Sequence, residues 1–157
     1  MTTTTSSPSA ATTSGLRAWP TSPSLALLVL RIAIGAIIIA HGAQKVFFYG
    51  FVGTGGSFAE MGVPLAEIAG PVVGLVELIG GVLIVLGLAT RVAALAVAID
   101  MLVATILVHL PYGIFIADGG FELTLALFAS SIAFVFAGAG RISIDAILVR
   151  RRTAQLH

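Results

Sequence analysis

Eight ionisable side chains sit inside, or at the mouths of, stretches of this chain that are otherwise apolar enough to cross a membrane. Arg31, His41 and Lys45 lie on the first stretch, Glu67 and Glu77 on the second, Asp100 and His109 on the third, and Glu122 opens the fourth. Carboxylates and imidazoles can exchange protons, and Lys or Arg can hold an anionic group, so these residue types suit proton transfer or ligand binding within a membrane. A charge near the bilayer centre costs roughly 2.5–3.5 kcal/mol, so each such residue is expected to face other helices and to have a partner. Some positions have simpler explanations. Lys45 can snorkel to the interface, and Glu67 and Glu122 suit first helical turns. His41 has no such explanation, because it follows Ile37-Ile38-Ile39-Ala40 and precedes Gly42. Histidine is also the side chain best able to shuttle a proton near neutral pH.

The composition is that of an integral membrane protein. Of the 157 residues, 58% are hydrophobic and 10% charged, with a mean hydropathy of +1.11. A soluble domain is about half apolar and about a quarter charged. Net charge is +1 and no basic run is interleaved with aromatics, so nucleic acid is not an expected partner. Cysteine is absent, which excludes thiol chemistry and thiolate metal sites from this chain. His41, His109 and a carboxylate could in principle hold zinc or iron, but no local ligand spacing such as HExxH is present, so no metal is expected.

An open backbone is not tolerated in lipid, so the apolar stretches must be helices. The expected architecture is all-α: a four-transmembrane-helix bundle over residues 25–140, with spans at about 25–48, 65–88, 91–110 and 121–137. Residues 1–24, rich in Thr, Ser and Pro with Arg17 the single charge, read as a disordered cytoplasmic tail. The apolar run after it is too long for a signal peptide and carries Arg31, so it reads as a span. Residues 49–63 and 111–120 read as glycine-rich loops, and 141–157 as a short basic amphipathic tail. Arg17, Arg91, Arg141 and Arg150–Arg152 fall on one side if both termini share it, which places both termini in the cytoplasm and both loops outside.

Helical phase and depth sort the charges. Arg31, Gly35, Ile38, Gly42 and Lys45 follow one stripe of the first helix, and Gly70, Gly74, Glu77 and Gly81 share a face of the second. At about 1.5 Å per residue, Arg31, Asp100 and Glu77 lie roughly 9, 14 and 18 Å from the cytoplasmic end. An intramembrane ion pair of Arg31 with Glu77 or Asp100 is therefore expected, and a second polar group towards the outer face. His109 is half a turn from Asp100 by α-helical phase, which points these two at different neighbours.

An ordered set of motifs then resembles the DoxX family. It comprises Leu30-Arg31-Ile32, His41-Gly42-Ala43-Gln44-Lys45-Val46-Phe47, Glu77-Leu78-Ile79-Gly80-Gly81 and Leu86-Gly87-Leu88-Ala89-Thr90-Arg91. It continues through Val108-His109, Gly113-Ile114-Phe115, Gly119-Gly120-Phe121-Glu122 and Gly138-Ala139-Gly140-Arg141-Ile142-Ser143-Ile144-Asp145. The resemblance covers roughly residues 25–146 and implies a small four-helix protein of a bacterial inner membrane, linked to redox complexes that handle oxidative stress and sulfur compounds. Its polar signature falls on Arg31, His41, Gln44, Lys45, Glu77, Arg91, His109 and Glu122. Phe121 stands where tyrosine is expected, and Asp100 lies outside the signature.

Together these residues suggest a redox subunit that binds a quinone or a small acidic substrate near the outer leaflet. His41, Gln44, Lys45, His109 and Glu122 form the expected ligand and proton site, with quinone the one cofactor to consider. Two other classes remain open: a non-enzymatic scaffold for soluble redox enzymes, using 89–91 and 141–152, and a small proton-coupled transporter built around Glu77. Membrane lipids, soluble redox enzymes and a second copy of the chain are the partners to consider. Four helices leave little room for alternating access unless the protein dimerises.

Overall fold

The computed structural model describes residues 22–155. The Thr/Ser/Pro-rich segment with Arg17 falls almost wholly outside the described residues. The described chain is helical, with α1 at Pro23–Ala43, α2 at Gly50–Glu60, α3 at Ala66–Leu86, α4 at Thr90–Ala104, α5 at Glu122–Ala137 and α6 at Ile144–Ala154. Two helices run on in altered geometry. α1 continues through a π-helical turn at Gln44–Phe48, and α4 through another at Thr105–His109 into a 3-10 turn at Leu110–Tyr112.

Three continuous helical stretches, Pro23–Phe48, Ala66–Leu86 and Thr90–Tyr112, are long and apolar enough to cross a membrane, each with a mean hydropathy of 2.3. α5 is apolar but has 16 residues, about 24 Å of helix, against a hydrocarbon core of about 30 Å. The outward faces fit lipid. Val29, Ile68, Val92, Ile99 and Phe136 are all more than half exposed, a pattern that water would penalise and hydrocarbon does not.

Packing begins at the small-residue faces. α1 and α3 run antiparallel and touch backbone to backbone, because a Cβ on Gly42 would fall against the Leu78 backbone and one on Gly81 would sit 3.0 Å from Gly35 O. Close approach of this kind replaces the hydrophobic drive that helices lack inside lipid. α4 packs on α3 and on α5, and the buried core of Ile38, Ile84, Ala93, Val97, Leu127 and Phe134 draws on α1, α3, α4 and α5. The 49–63 segment departs from the expected loop. Its glycines leave α2 thin enough to lie on α3, with Gly55 against Ala66, Glu67 and Gly70.

The α3–α4 turn is held by the segment before α6. Gly87 (φ 66°) and Ala89 (φ 46°) both adopt left-handed backbone, which costs an alanine roughly 1–2 kcal/mol. Asp145 offsets that cost. Its carboxylate accepts from Ala89 N at 2.8 Å and Thr90 N at 3.0 Å, supplying the orphan N–H groups at the start of α4. Its own N–H donates to Gly87 O at 2.8 Å. Partial burial pushes the Asp145 carboxyl up, but the two backbone donors and the nearby Arg31 charge outweigh it and hold the group below the ordinary carboxylate range.

Two outcomes follow for stability in detergent. Gly42→Ala should destabilise by about 1–3 kcal/mol, the usual cost of overpacking, whereas Gly56→Ala, with open space around its Cβ, should be neutral or slightly stabilising. Asp145→Ala should cost about 1 kcal/mol. The native carboxyl titrates below its unfolded value, so its contribution is complete above about pH 4 and disappears as pH falls through the lower folded value. Thermal melts of the native chain and Asp145→Ala across pH 3–7 should draw together as the pH falls below about 4; a constant gap would contradict this role.

Candidate functional site

The contact of α1 with α3 continues past Gly42 into the π-helical turn, and there it meets Glu77. Lys45 Nζ lies 2.6 Å from Glu77 Oε2, with the two side chains 18% and 5% exposed. This is the one ion pair among the described residues. The turn that carries Lys45 is widened. Tyr49 N–H, which an α-helix would direct to Lys45 O, donates instead to Gln44 O at 3.0 Å. Lys45 O is then satisfied by the buried Thr54 hydroxyl of α2 at 2.9 Å. A π-helical turn rotates each residue by less than the roughly 100° of an α-helix, so it re-aims the side chains that follow.

The second π-helical turn does the same to His109. Leu110 N–H donates to Thr105 O, and the slower rotation brings His109 back towards the side of α4 that carries Asp100. Both line one cavity of about 530 Å³, together with His41, Gln44, Lys45 and Glu77. The half-turn separation expected from α-helical phase therefore does not hold. His109 Nδ1 lies 2.7 Å from Gly119 O. A carbonyl only accepts, so Nδ1 carries the hydrogen and Nε2 is left as an acceptor.

Asp100 is 9% exposed, and its Oδ2 is buried with no hydrogen-bond partner. Buried polar atoms are nearly always paired, so an orphaned carboxylate oxygen in a cavity is a marker of a binding or proton-transfer position. The rest of the lining is largely apolar, with Ile38, Val73, Met101 and Leu127 from the spanning helices, Phe58 from α2 and Met61 just beyond it. Thr124 adds a hydroxyl, 2.8 Å from that of Thr105.

Two expected placements are corrected. Arg31 pairs with neither Glu77 nor Asp100. It is fully buried at the opposite end of α3, where Nη1 donates to Ile84 O at 3.5 Å and Nη2 to Ile142 O at 2.5 Å. The reason is register: α1 lies against α3 so that Gly35 meets Gly81 and Val85, which brings Arg31 level with the last carbonyls of α3. Those carbonyls carry the negative end of the helix dipole. Glu122 does not line the cavity. Its Oε1 accepts from Ile116 N at 2.8 Å, a bond that folds the segment between α4 and α5. Glu67 is exposed in the first turn of α3. Thr54 and Thr124 escaped the sequence reading, since a lone threonine in an apolar helix carries no signal of its own.

Fold and site together define a small helical membrane protein with a charged cavity enclosed among apolar helices. The chain belongs to the DoxX family, whose model matches residues 26–110. An uncharacterized membrane protein of Mycobacterium tuberculosis is 32% identical over 138 residues, covering 82% of this chain and 84% of its own. An uncharacterized protein of Haemophilus influenzae is 36% identical, covering 76% and 87%. The Bacillus subtilis protein CatD, provisionally named an oxidoreductase, is 35% identical over 75% of this chain and 83% of its own. No solved structure matches the chain.

The ion pair is open to a double-mutant cycle. Lys45→Met alone leaves Glu77 without its counter-charge and should destabilise the protein by on the order of 3 kcal/mol. Lys45→Met with Glu77→Met should recover most of that loss in the same melting assay, and additive losses would show that the two charges are not coupled.

Proposed function

We propose that this DoxX-family protein binds the headgroup of a quinone-like molecule in the 530 Å³ cavity and handles its protons as part of a membrane redox complex. One observation carries the reading. The orphaned Asp100 Oδ2, the Lys45–Glu77 pair and two histidines share a cavity with apolar walls. Its size falls within the roughly 300–1,000 Å³ of small-molecule sites.

The chemistry of each group follows from its free valences. Lys45 Nζ has three hydrogens and gives one to Glu77, leaving donors for a quinone carbonyl oxygen. Asp100 Oδ2 can accept from the hydroxyl of the reduced form. His41, exposed at the rim, and His109, with Nε2 available, can exchange protons between cavity and surroundings. Reduction of a quinone to a quinol takes two electrons and two protons. The chain has no cysteine, and in this reading the electrons come from a partner oxidoreductase while these side chains supply the protons.

The same reading places the chain in a bacterial inner membrane as a four-span bundle, α5 being the short fourth span. The ends of the described chain lie on the cytoplasmic side. Its support is charge distribution: Arg31, Arg91, Arg141 and Arg150–Arg152 gather at the end where α3 meets α4 and α6 begins, and Lys45 is spent inside the cavity.

Titration of the purified protein with a short-chain quinone tests the site. Saturable binding is expected, with Asp100→Asn weakening it by about tenfold, the worth of one buried hydrogen bond, and His41→Ala and His109→Ala weakening it by less. Glu122→Gln, outside the cavity, should leave affinity unchanged. Native affinity in all three cavity variants, or no saturable binding, would overturn the reading.

A further inference from the structure

The end of the molecule remote from the cavity carries a second concavity, independent of the proposed quinone site. It is a groove of about 1080 Å³ between the start of α4, the end of α5 and the length of α6. Five arginines line it: Arg91, Arg141, Arg150, Arg151 and Arg152. All five are exposed, and none forms an ion pair among the described residues. The one acid in the lining, Asp145, has both oxygens committed to Ala89 N and Thr90 N. Five arginines against one carboxylate leave the groove with a net positive charge, and guanidinium groups match phosphate oxygens in a bidentate fork.

The groove is built rather than incidental. The start of α6 is fixed to the α3–α4 turn by Asp145 N to Gly87 O at 2.8 Å and capped by Ser143 Oγ on Ala146 N at 3.2 Å. The Arg91 side chain lies across the left-handed Gly138, where a Cβ would come within 3.5 Å of Nε. Its second wall is apolar. Val92 is 73% exposed and Val149 64%, and Val92 opens directly onto the lipid-facing side of α4. A soluble phosphate would use the arginines alone, whereas a ligand that uses both walls has a phosphate joined to acyl chains.

We infer that this groove is a binding site for the headgroup of an anionic phospholipid, its phosphate held by Arg91, Arg141 and the Arg150–Arg152 run, and its acyl chains lying against Val92 and Val149. The geometry is that of a basic pocket between helices at a membrane surface, where each arginine adds to the attraction for an anionic headgroup.

The test uses the full chain, delipidated in neutral detergent and titrated with phosphatidylglycerol, cardiolipin, phosphatidylcholine or inorganic phosphate, with bound lipid read by native mass spectrometry. Phosphatidylglycerol and cardiolipin should bind as discrete adducts at least tenfold more tightly than phosphatidylcholine. Arg91→Gln, Arg141→Gln and Arg150→Gln should each weaken them by about fivefold, and Val92→Ser with Val149→Ser should weaken lipid binding further. Variants are compared only where the melting midpoint in phosphatidylcholine matches the native chain; the surface position of these arginines makes that the expected outcome. Equal retention of anionic and zwitterionic lipid, or anionic binding indifferent to the arginines, would overturn the site. So would inorganic phosphate binding as tightly as phosphatidylglycerol. A poly-glutamate peptide that holds the groove against excess phosphatidylglycerol would assign it to an acidic protein partner and equally refute the lipid.

Discussion

An ammonium group can remain charged among apolar helices only with a carboxylate beside it, and the contact of Lys45 with Glu77 meets that requirement across two helices. The pair needs α1 and α3 to come close enough for a 2.6 Å contact, and glycine at 42 and 81 is what permits it. Lys45 follows the α1 stripe that carries Gly35 and Gly42, so helical phase already turns it towards α3. The π-helical turn at Gln44–Phe48 opens at this point, and α2 supplies Thr54 for the carbonyl that the turn releases. Helix spacing and the placement of α2 meet at one polar contact.

The molecule separates its charges by end and by purpose. At one end Arg31 and Asp145 work on the backbone. Arg31 joins the last turn of α3 to Ile142, and Asp145 caps the start of α4. Their valences are largely used within the fold, and they make the connections between helices rigid. At the other end Lys45, Asp100, His41 and His109 retain unused donors and acceptors, directed into an apolar cavity. Groups spent on structure and groups held open for a ligand are thus about the length of a helix apart.

Much of this was legible in the sequence. The apolar stretches, the small-residue faces of α1 and α3, and the family are visible in residue order, and the family match agrees with the resemblance. The membership of His41, Gln44, Lys45 and His109 in one cavity is anticipated by their residue types, although the route to it is not. Nothing in the residues of Gln44–Phe48 or Thr105–His109 marks an i→i+5 turn, so α-helical phase misdirects His109 and leaves Asp100 apart from it. Depth failed for a different reason. Counting from the start of an apolar run locates a residue on its own helix, but level with its neighbours is set by inter-helix register. Arg31 consequently meets the end of α3 rather than Glu77. Glycine-rich 49–63 reads as a loop in isolation and becomes a helix because α3 offers Gly70 for it to pack against.

The cavity beside the Lys45–Glu77 pair is the proposed seat of a quinone-like headgroup. Photolabelling of the membrane-embedded protein with an azidoquinone tests it most directly. Label is expected on segments 38–49 and 97–109, suppressed by excess unlabelled quinone and lost in Asp100→Asn. Label spread over the lipid-facing residues of α1, α3 and α4, undiminished by competitor, would contradict it.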